Sequence, residues 1–139
     1  MRRKNTRDAG ITLIELLVVM VIIALFATIV GSRVGRTVDR AKQVAAKSQL
    51  SEFESVLDQY RLDVGKYPSS DEGLQALRVQ PANVTNWDGP YLRKDLPMDP
   101  WGRPYSYRFP GVHSDFDLMS LGADGQEGGS GDNADIVNW

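Results

Sequence analysis

The pattern of apolar and polar positions begins with a long apolar run at residues 11–30, interrupted only by Thr12, Glu15 and Thr28. A helix rises 1.5 Å per residue, so a run of this length covers about 30 Å, the thickness of the hydrocarbon layer of a bilayer. The run therefore predicts a transmembrane helix over residues 11–30. A carboxylate within such a helix is costly, which indicates that Glu15 has a function.

The helical pattern continues beyond the apolar run as one apolar stripe. Apolar residues recur at steps of three and four, polar residues fill the other face, and no proline occurs before Pro68. This period is typical of an amphipathic helix, and we expect one helix over about residues 11–62. Its second half must be buried by its own domain, and its first half by lipid or by other subunits. The predicted stripe consists of Val34, Val38, Ala41, Ala45, Phe53, Val56, Leu57 and Tyr60.

The residues after the long helix predict a small domain. Gly65 and Pro68 end the helix, and Ser69 or Ser70 can cap a short second helix that ends at Leu77. A long loop rich in Pro, Gly and aromatic residues follows. The segments "PYSYRF" and "FDLMSLG" predict two antiparallel strands, which must pack on the long helix because two short strands bury little by themselves.

Charge is distributed unevenly along the chain. The formal net charge is −2, but the first ten residues are basic, and the remainder carries 12 basic and 17 acidic side chains, a net charge of −5. No basic surface for nucleic acid is indicated. The positive-inside rule predicts that the leader stays in the cytoplasm and that the following domain is exported. The chain has no cysteine and can form no disulfide.

Three interpretations of the N-terminal segment compete. A secretory signal peptide has a shorter apolar core than this segment. It also ends at a small-residue cleavage site, and no such site follows the apolar run here. A plain membrane anchor fits the length but leaves Glu15 unexplained. In the third interpretation, cleavage between Gly10 and Ile11 creates an α-amino group one helical turn from Glu15. The helix dipole also favours an anion in that first turn.

The segment "GITLIELLVVMVIIALFATIV" resembles the N-terminal signature of type IV pilins and pseudopilins. The signature has a basic leader, a glycine, an apolar residue and then T-L-I-E-L. The resemblance implies that a prepilin peptidase cleaves after Gly10 and that Ile11 becomes the N-methylated N-terminus. It also implies that Glu15 meets the N-terminal amine of a neighbouring subunit during assembly. In the family, the first residue of the mature chain is commonly Phe. Ile11 stands at that position here and is also apolar.

Later segments extend the resemblance, and they are similar to the major, G-type pseudopilins of type II secretion systems. The D-P-W-G turn at residues 99–102 and the S-L-G-A-D-G loop at residues 120–125 are the most specific parts. The resemblance implies a structural subunit of the periplasmic pseudopilus, which drives export of folded proteins across the outer membrane. The implied location is the bacterial inner membrane, crossed once, with the C-terminal domain in the periplasm. The implied partners are copies of the chain, minor pseudopilins, an inner-membrane assembly platform, the prepilin peptidase and membrane lipid, without nucleic acid.

The acidic segment "SLGADGQEGGSGDNADI" has the chemistry of a site for a hard cation. Calcium takes six to eight oxygen ligands from carboxylates, carbonyls and water, and the glycines allow a tight loop. The alternative is a flexible, solvated acidic tail. The apolar residues Leu118, Leu121, Ile136 and Trp139 can anchor both ends of the segment, which favours a folded loop.

The resemblance also implies one structural calcium ion in this loop. It implies Asp124 and Asp132 as side-chain ligands, and the carbonyl oxygens of Leu121 and Gln126 as backbone ligands. The spacing between the two aspartates carries an additional glycine compared with the family. Ser130, Asn133 and Asp135 are therefore rivals of Asp132.

We therefore predict an α+β protein with a leader at residues 1–10, a transmembrane and filament-core helix at residues 11–30 and a periplasmic domain at residues 31–139. The amphipathic half of the long helix packs on a short helix, a long loop, a small antiparallel sheet and a terminal calcium loop. No catalytic motif is present, and the lone His113 has no nucleophile partner in the sequence, so we expect no enzyme. The alternatives are a type IV pilin or competence pseudopilin, and a membrane-anchored calcium-binding module that does not polymerise.

Overall fold

The computed structural model describes residues 11–139, and for residues 29–37 the backbone alone. The predicted leader and Gly10 lie outside the described residues. The chain divides into two units at residue 37, and every element other than the long helix belongs to the second unit, residues 38–139. Each unit is described by itself below.

The long helix α1 runs from Leu13 to Val64 and has 52 residues. It was predicted over residues 11–62, so both ends lie two residues later along the chain. The helix starts after Thr12, whose hydroxyl oxygen accepts a hydrogen bond from Glu15 N at 3.3 Å. It ends at Val64, before Gly65, which adopts a φ of +88°, a left-handed conformation that glycine reaches without a steric penalty.

The apolar stripe of α1 is confirmed in its C-terminal part, and the side chain of Val34, its first predicted member, lies outside the described residues. Its buried residues in the second unit are Ala46, Leu50, Phe53, Leu57 and Tyr60, at alternating steps of four and three. The prediction was wrong for Val38, Ala41 and Ala45, which are exposed. Neighbouring residues of a helix point about 100° apart, so the shift from residue 45 to residue 46 changes the face that is buried.

Among the described residues, no helix is long and apolar enough to cross a membrane, and the transmembrane segment predicted for residues 11–30 stays a prediction.

The short second helix is a 3-10 helix over Gly73–Leu77. The turn before it is closed by Ser69 and Glu72, which exchange two hydrogen bonds between side chain and backbone at 2.7 and 3.3 Å. Ser70, the other predicted cap, bonds instead to the backbone of Phe109, as a donor to its oxygen and an acceptor from its nitrogen. The residue at the N-cap of the 3-10 helix is Glu72, so the predicted serine cap is wrong for this helix, and Ser69 caps the preceding turn instead.

The sheet has three antiparallel strands in the order β1-β2-β3. Strands β1 (Ser106–Arg108) and β2 (Asp117–Ser120) lie within the two predicted segments. Strand β3 (Ile136–Val137) was not predicted, because two residues are too short to show an alternating pattern. It pairs with β2 and so returns the C-terminal segment to the sheet.

The core of the second unit lies between α1, the 3-10 helix and the sheet. Phe116 and Leu118 from β2 and its approach are buried in the same cluster as the apolar stripe of α1. Phe53 and Tyr105 meet edge to face with ring centroids 5.3 Å apart, a favoured aromatic geometry. The predicted packing of the strands on the long helix is therefore confirmed.

Candidate functional site

The N-terminal end of α1 carries the first candidate site. Glu15 lies in the first turn of the helix, where the exposed N–H groups and the helix dipole favour a carboxylate. Ile11, the predicted first residue of the mature chain, precedes the helix and is 74% exposed. The structure therefore places Glu15 within the turn that follows the predicted new N-terminus.

The same end of α1 exposes an apolar surface. Its large apolar side chains between residues 11 and 26 are from 46% to 85% exposed. Contiguous apolar surface of this extent marks a site that is covered by another protein or by a membrane. The residues are Ile11, Leu13, Ile14, Leu16, Leu17, Val18, Val19, Met20, Val21, Ile22, Ile23, Leu25 and Phe26.

The second candidate site is the C-terminal loop, residues 121–135. The sheet holds both of its ends, because β2 ends at Ser120 and β3 begins at Ile136, opposite Ser120 in the register. A 3-10 turn at Gly131–Asn133 shapes the second half. The loop also contacts α1, since Gln43 Nε2 donates a hydrogen bond to Gly131 O at 2.8 Å.

The D-P-W-G turn supports the start of this loop through the buried carboxylate of Asp99. Asp99 Oδ1 accepts hydrogen bonds from the backbone nitrogens of Trp101 (3.1 Å) and Arg103 (2.8 Å). Asp99 Oδ2 accepts one from Ser120 Oγ at 2.6 Å. An aspartate that bonds to backbone two residues later is typical of such turns. One carboxylate therefore joins the turn to the end of β2.

Arg103 makes the second connection between the turn and the loop. Its guanidinium donates to Gly122 O at 3.1 and 3.3 Å and to Ala123 O at 2.7 Å. Sequence analysis did not identify Asp99, Ser120 or Arg103 as site residues, although the Asp99 turn has a recognisable sequence signal. The contact of Arg103 with the loop has no such signal.

The predicted ligands in the first half of the loop lie close together along the chain. Leu121 O already accepts one hydrogen bond, from Gly125 N at 3.1 Å, and a carbonyl oxygen can accept a second. Asp124 is exposed, and its Oδ1 accepts a hydrogen bond from Gln126 N at 3.1 Å. Both carboxylate oxygens of Asp124 retain acceptor capacity.

The second half of the loop contains the predicted ligand Asp132 and its rivals. Asp132 lies in the exposed 3-10 turn, and Asn133 N donates to Ser130 O at 3.2 Å. Asp135 is half-buried, and its Oδ2 accepts a hydrogen bond from Gly128 N at 2.8 Å. Its Oδ1 is shut off from solvent and finds no hydrogen-bond partner among the described residues, an arrangement that costs free energy unless a cation or donor reaches it.

The carboxylates of the loop are not gathered into one cluster. Over the described part of the chain, no three His, Asp, Glu or Cys side chains stand together as a metal-holding group. A calcium ion in this loop would therefore need backbone carbonyls and water beside one or two carboxylates, a ligand set that calcium accepts.

His113 is part of a cluster at the C-terminus. Its Nδ1 lies 3.2 Å from Asp117 Oδ2, and its ring stacks on that of Trp139 at 4.2 Å between centroids. Burial alone would raise the pKa of Asp117, but hydrogen bonds from Val112 N, His113 and Ser114 N outweigh it and lower that pKa to about 2. The cluster therefore anchors the C-terminal residue to a buried, ionised aspartate.

Comparison with known proteins identifies the family. The family described as "Type II secretion system (T2SS), protein G" matches residues 33–139, and the "Prokaryotic N-terminal methylation motif" matches residues 5–31. The "Type II secretion system core protein G" of Pseudomonas aeruginosa is 46% identical over 139 residues, which cover 98% of each chain. Its counterpart in Vibrio cholerae is 41% identical over 140 residues, covering 99% of this chain and 95% of that protein.

A solved structure agrees with these sequence matches. The major pseudopilin from the type 2 secretion system of enterohaemorrhagic Escherichia coli superposes with a TM-score of 0.64 at 41% identity, over 74% of this chain and 90% of that one. The predicted α+β fold and the predicted resemblance are thereby confirmed. The chain belongs to the G-type, major pseudopilin family of the type II secretion system and is a structural subunit of its pseudopilus.

Proposed function

We propose that the mature chain, cleaved after Gly10 and methylated at Ile11, polymerises into a periplasmic filament that drives export of folded proteins across the outer membrane. The exposed apolar surface of residues 11–26 carries this proposal. An isolated subunit leaves this surface in water, so it needs lipid before assembly and other subunits afterwards. The role is structural, and the chain itself catalyses no reaction.

As a pseudopilin, the chain assembles with other components of the secretion system. We propose that these are further copies of itself, minor pseudopilins, the assembly platform of the inner membrane and the prepilin peptidase. We also propose that residues 11–30 anchor the subunit once in the inner membrane and that the remaining domain lies in the periplasm. The match of residues 5–31 to the methylation motif supports this arrangement.

Glu15 has a specific part in this proposal. Its position in the first turn of α1 favours an anion there, and the α-amino group of a neighbouring subunit would be a suitable partner. Pairing the two charges in an apolar filament core fixes the register of the subunits, because an unpaired charge in that environment is costly.

Electron microscopy of sheared surface material from cells that overproduce the chain tests polymerisation. The unchanged chain should form filaments, and Glu15→Ala should abolish them while the protein stays in the membrane fraction. Glu127→Ala, at an exposed glutamate outside α1, is the matched control and should form filaments normally. A non-polymerising anchored module would give no filaments from any of the three chains.

Mass spectrometry should detect a chain that begins at Ile11 with one added methyl group.

We further propose that the loop at residues 121–135 binds one structural calcium ion. The carbonyls of Leu121 and Gln126 and the carboxylates of Asp124 and Asp132 are the proposed ligands, with Ser130, Asn133 and Asp135 as rivals. The partnerless Asp135 Oδ1 supports a cation in this loop and favours Asp135 among the rivals. Bound calcium would neutralise the acidic loop and hold the exposed domain rigid.

Thermal unfolding of the full chain in detergent micelles, with calcium or with a chelator, tests the calcium proposal. A ligand that binds only the folded state stabilises it by about 2.7 kcal/mol at a hundredfold excess over its Kd. We expect a higher unfolding midpoint with calcium than with chelator. An identical midpoint in both conditions, at millimolar calcium, would contradict a structural metal.

A further inference from the structure

The guanidinium of Arg103 lies against the first half of the C-terminal loop, where it faces carbonyl oxygens. Its nitrogens donate three hydrogen bonds, two to Gly122 O and one, of 2.7 Å, to Ala123 O. Arg103 forms no ion pair with any described residue. The guanidinium thus places a positive charge on two backbone carbonyl oxygens of the loop, and backbone carbonyl oxygens are also ligands of bound calcium ions.

The position of Arg103 is itself constrained by the D-P-W-G turn. Its backbone oxygen accepts a hydrogen bond from Asp99 N at 2.7 Å, and its backbone nitrogen donates to Asp99 Oδ1 at 2.8 Å. Asp99 also binds Ser120 Oγ, and Ser120 Oγ accepts a hydrogen bond from Gly122 N at 3.3 Å. The arginine and the start of the loop are thus fixed to the same buried carboxylate.

Gly125 shows how closely the loop packs on this side chain. A Cβ atom at position 125 would lie 2.6 Å from Arg103 Nη1, closer than real Cβ contacts allow. Gly125 also adopts a φ of +70°, which disfavours other residues. The loop therefore turns directly over the guanidinium. A backbone hydrogen bond from Gly125 N to Leu121 O closes this turn.

The second half of the loop is supported from outside by a neutral side chain, since Gln43 Nε2 donates a hydrogen bond to Gly131 O at 2.8 Å. Residues 126–133 are exposed, and no arginine or lysine side chain bonds to them among the described residues. Asp135 accepts one backbone hydrogen bond from Gly128, and its other carboxylate oxygen has no partner in the part of the chain that the structure describes. Among the described residues, a cationic side chain therefore hydrogen-bonds to the first half of the loop alone, and that side chain is Arg103.

We propose that Arg103 is a positioning residue that holds residues 121–125 in place without a metal, so that calcium orders only residues 126–135. The second clause rests on the proposed calcium site. The first clause stands by itself, since every contact that it uses belongs to this chain. The expected consequence is a loop of which one half is ordered at any calcium concentration and the other half responds to it.

Amide hydrogen exchange on the full chain in detergent micelles tests this assignment. In the presence of chelator, we expect the Gly125 amide to be protected and the Gly128 amide to exchange fast, with calcium slowing only the latter. Arg103→Gln should speed exchange at Gly125 by roughly tenfold with and without calcium, because the loop then opens locally. Arg103→Lys, which keeps the charge but loses the planar fork, should give a smaller increase.

Two controls separate a local effect from general unfolding. The amide of Leu57 in the buried face of α1 should keep its protection in each variant that folds. Arg93→Gln, at an exposed arginine of the same connecting segment, should leave Gly125 unchanged. If Arg103→Gln fails to fold, Arg103→Lys replaces it in the test. The expected result is then the smaller increase in the exchange rate of the Gly125 amide.

The outcomes distinguish this inference from the calcium proposal. Unchanged exchange at Gly125 in a folded Arg103→Gln chain would overturn the role of Arg103. Protection of Gly125 that appears only when calcium is added would overturn it as well. Faster exchange at Gly125 in Arg103→Gln would support the role of Arg103 even if calcium did not change the exchange rate of the Gly128 amide. That unchanged rate at Gly128 would overturn the proposed calcium site.

Discussion

Asp99 and Ser120 are 21 residues apart in sequence, yet Ser120 Oγ donates a hydrogen bond of 2.6 Å to Asp99 Oδ2 in the interior of the domain. Ser120 is fully buried and Asp99 is 4% exposed. The carboxylate accepts two further bonds from backbone nitrogens of its own turn, so it is well solvated by the protein. This pair is the point at which the D-P-W-G turn, the sheet and the C-terminal loop meet.

Asp99→Asn is expected to destabilise the domain. It keeps the shape of the side chain but removes the charge that strengthens three hydrogen bonds, so we expect a loss of about 1.5–3 kcal/mol in the free energy of unfolding. Urea denaturation of the full chain in micelles, followed by tryptophan fluorescence, measures it. Asp95→Asn is the control, because Asp95 is exposed and pairs with Arg78 at the surface, and it should cost less than about 1 kcal/mol. Equal losses in both variants would contradict the special role of Asp99.

Tyr60→Phe is expected to preserve or increase stability. The Tyr60 side chain is 1% exposed, and no group in the described part of the chain forms a hydrogen bond with its hydroxyl. A buried hydroxyl loses its hydrogen bonds to water without gaining others in the fold. Removing this hydroxyl should therefore raise the free energy of unfolding by up to about 1 kcal/mol. Burial also raises the pKa of Tyr60 to about 12. The same urea denaturation measures the effect.

Tyr67→Phe is the matched control for Tyr60→Phe. The Tyr67 hydroxyl donates to Asp58 at 2.7 Å and accepts from Arg61 at 3.1 Å, so its loss should cost about 1 kcal/mol. A clear destabilisation by Tyr60→Phe would show that its hydroxyl has a partner in solution.

Asp117 is expected to contribute to stability in a pH-dependent manner. Its pKa in the folded chain is about 2, below the ordinary value of about 3.9. A lowered pKa stabilises the fold above the unfolded value, and this contribution is lost as the pH falls from about 4 through about 2. The unchanged chain should therefore lose stability more steeply over this range than Asp117→Asn. Denaturation midpoints at pH 6, 4 and 3 measure the difference.

Asp115→Asn is the control for the loss of stability at acid pH. Asp115 is exposed, and its carboxylate forms a surface ion pair with Arg61 at 3.4 Å, so its removal should leave the slope below pH 4 almost unchanged. A slope that is identical in all three chains would show that the hydrogen bonds to Asp117 do not persist in solution.

Asp135→Asn is expected to weaken calcium binding more than Glu127→Gln does. Both substitutions remove one negative charge from the same loop, but Asp135, unlike Glu127, has a carboxylate oxygen that is shut off from solvent and has no partner within the described residues. We expect about a tenfold higher Kd for Asp135→Asn, which corresponds to about 1.4 kcal/mol. Calorimetric titration of the full chain with calcium measures both. Equal effects would indicate that the loop attracts calcium through net charge alone.

Much of the candidate site followed from local sequence patterns. The glycine and acidic composition of residues 120–135 indicated a shaped, acidic loop, and the apolar residues around it indicated that its ends are anchored. Arg103 and Ser120 could not be identified in this way. Their contacts join segments about 20 residues apart, and no periodic pattern records which side chains meet across such a distance.

The sequence by itself determined the long helix, its two different halves, the position of Glu15 and the two main strands, because periodicity and chain-breaking residues act over a few neighbours. Tertiary structure decided which face of α1 is buried near residue 46, where strand β3 pairs, and how Arg103 supports the loop. These features depend on packing between distant segments, where burial and hydrogen-bond geometry select one arrangement among several that local propensity permits equally well.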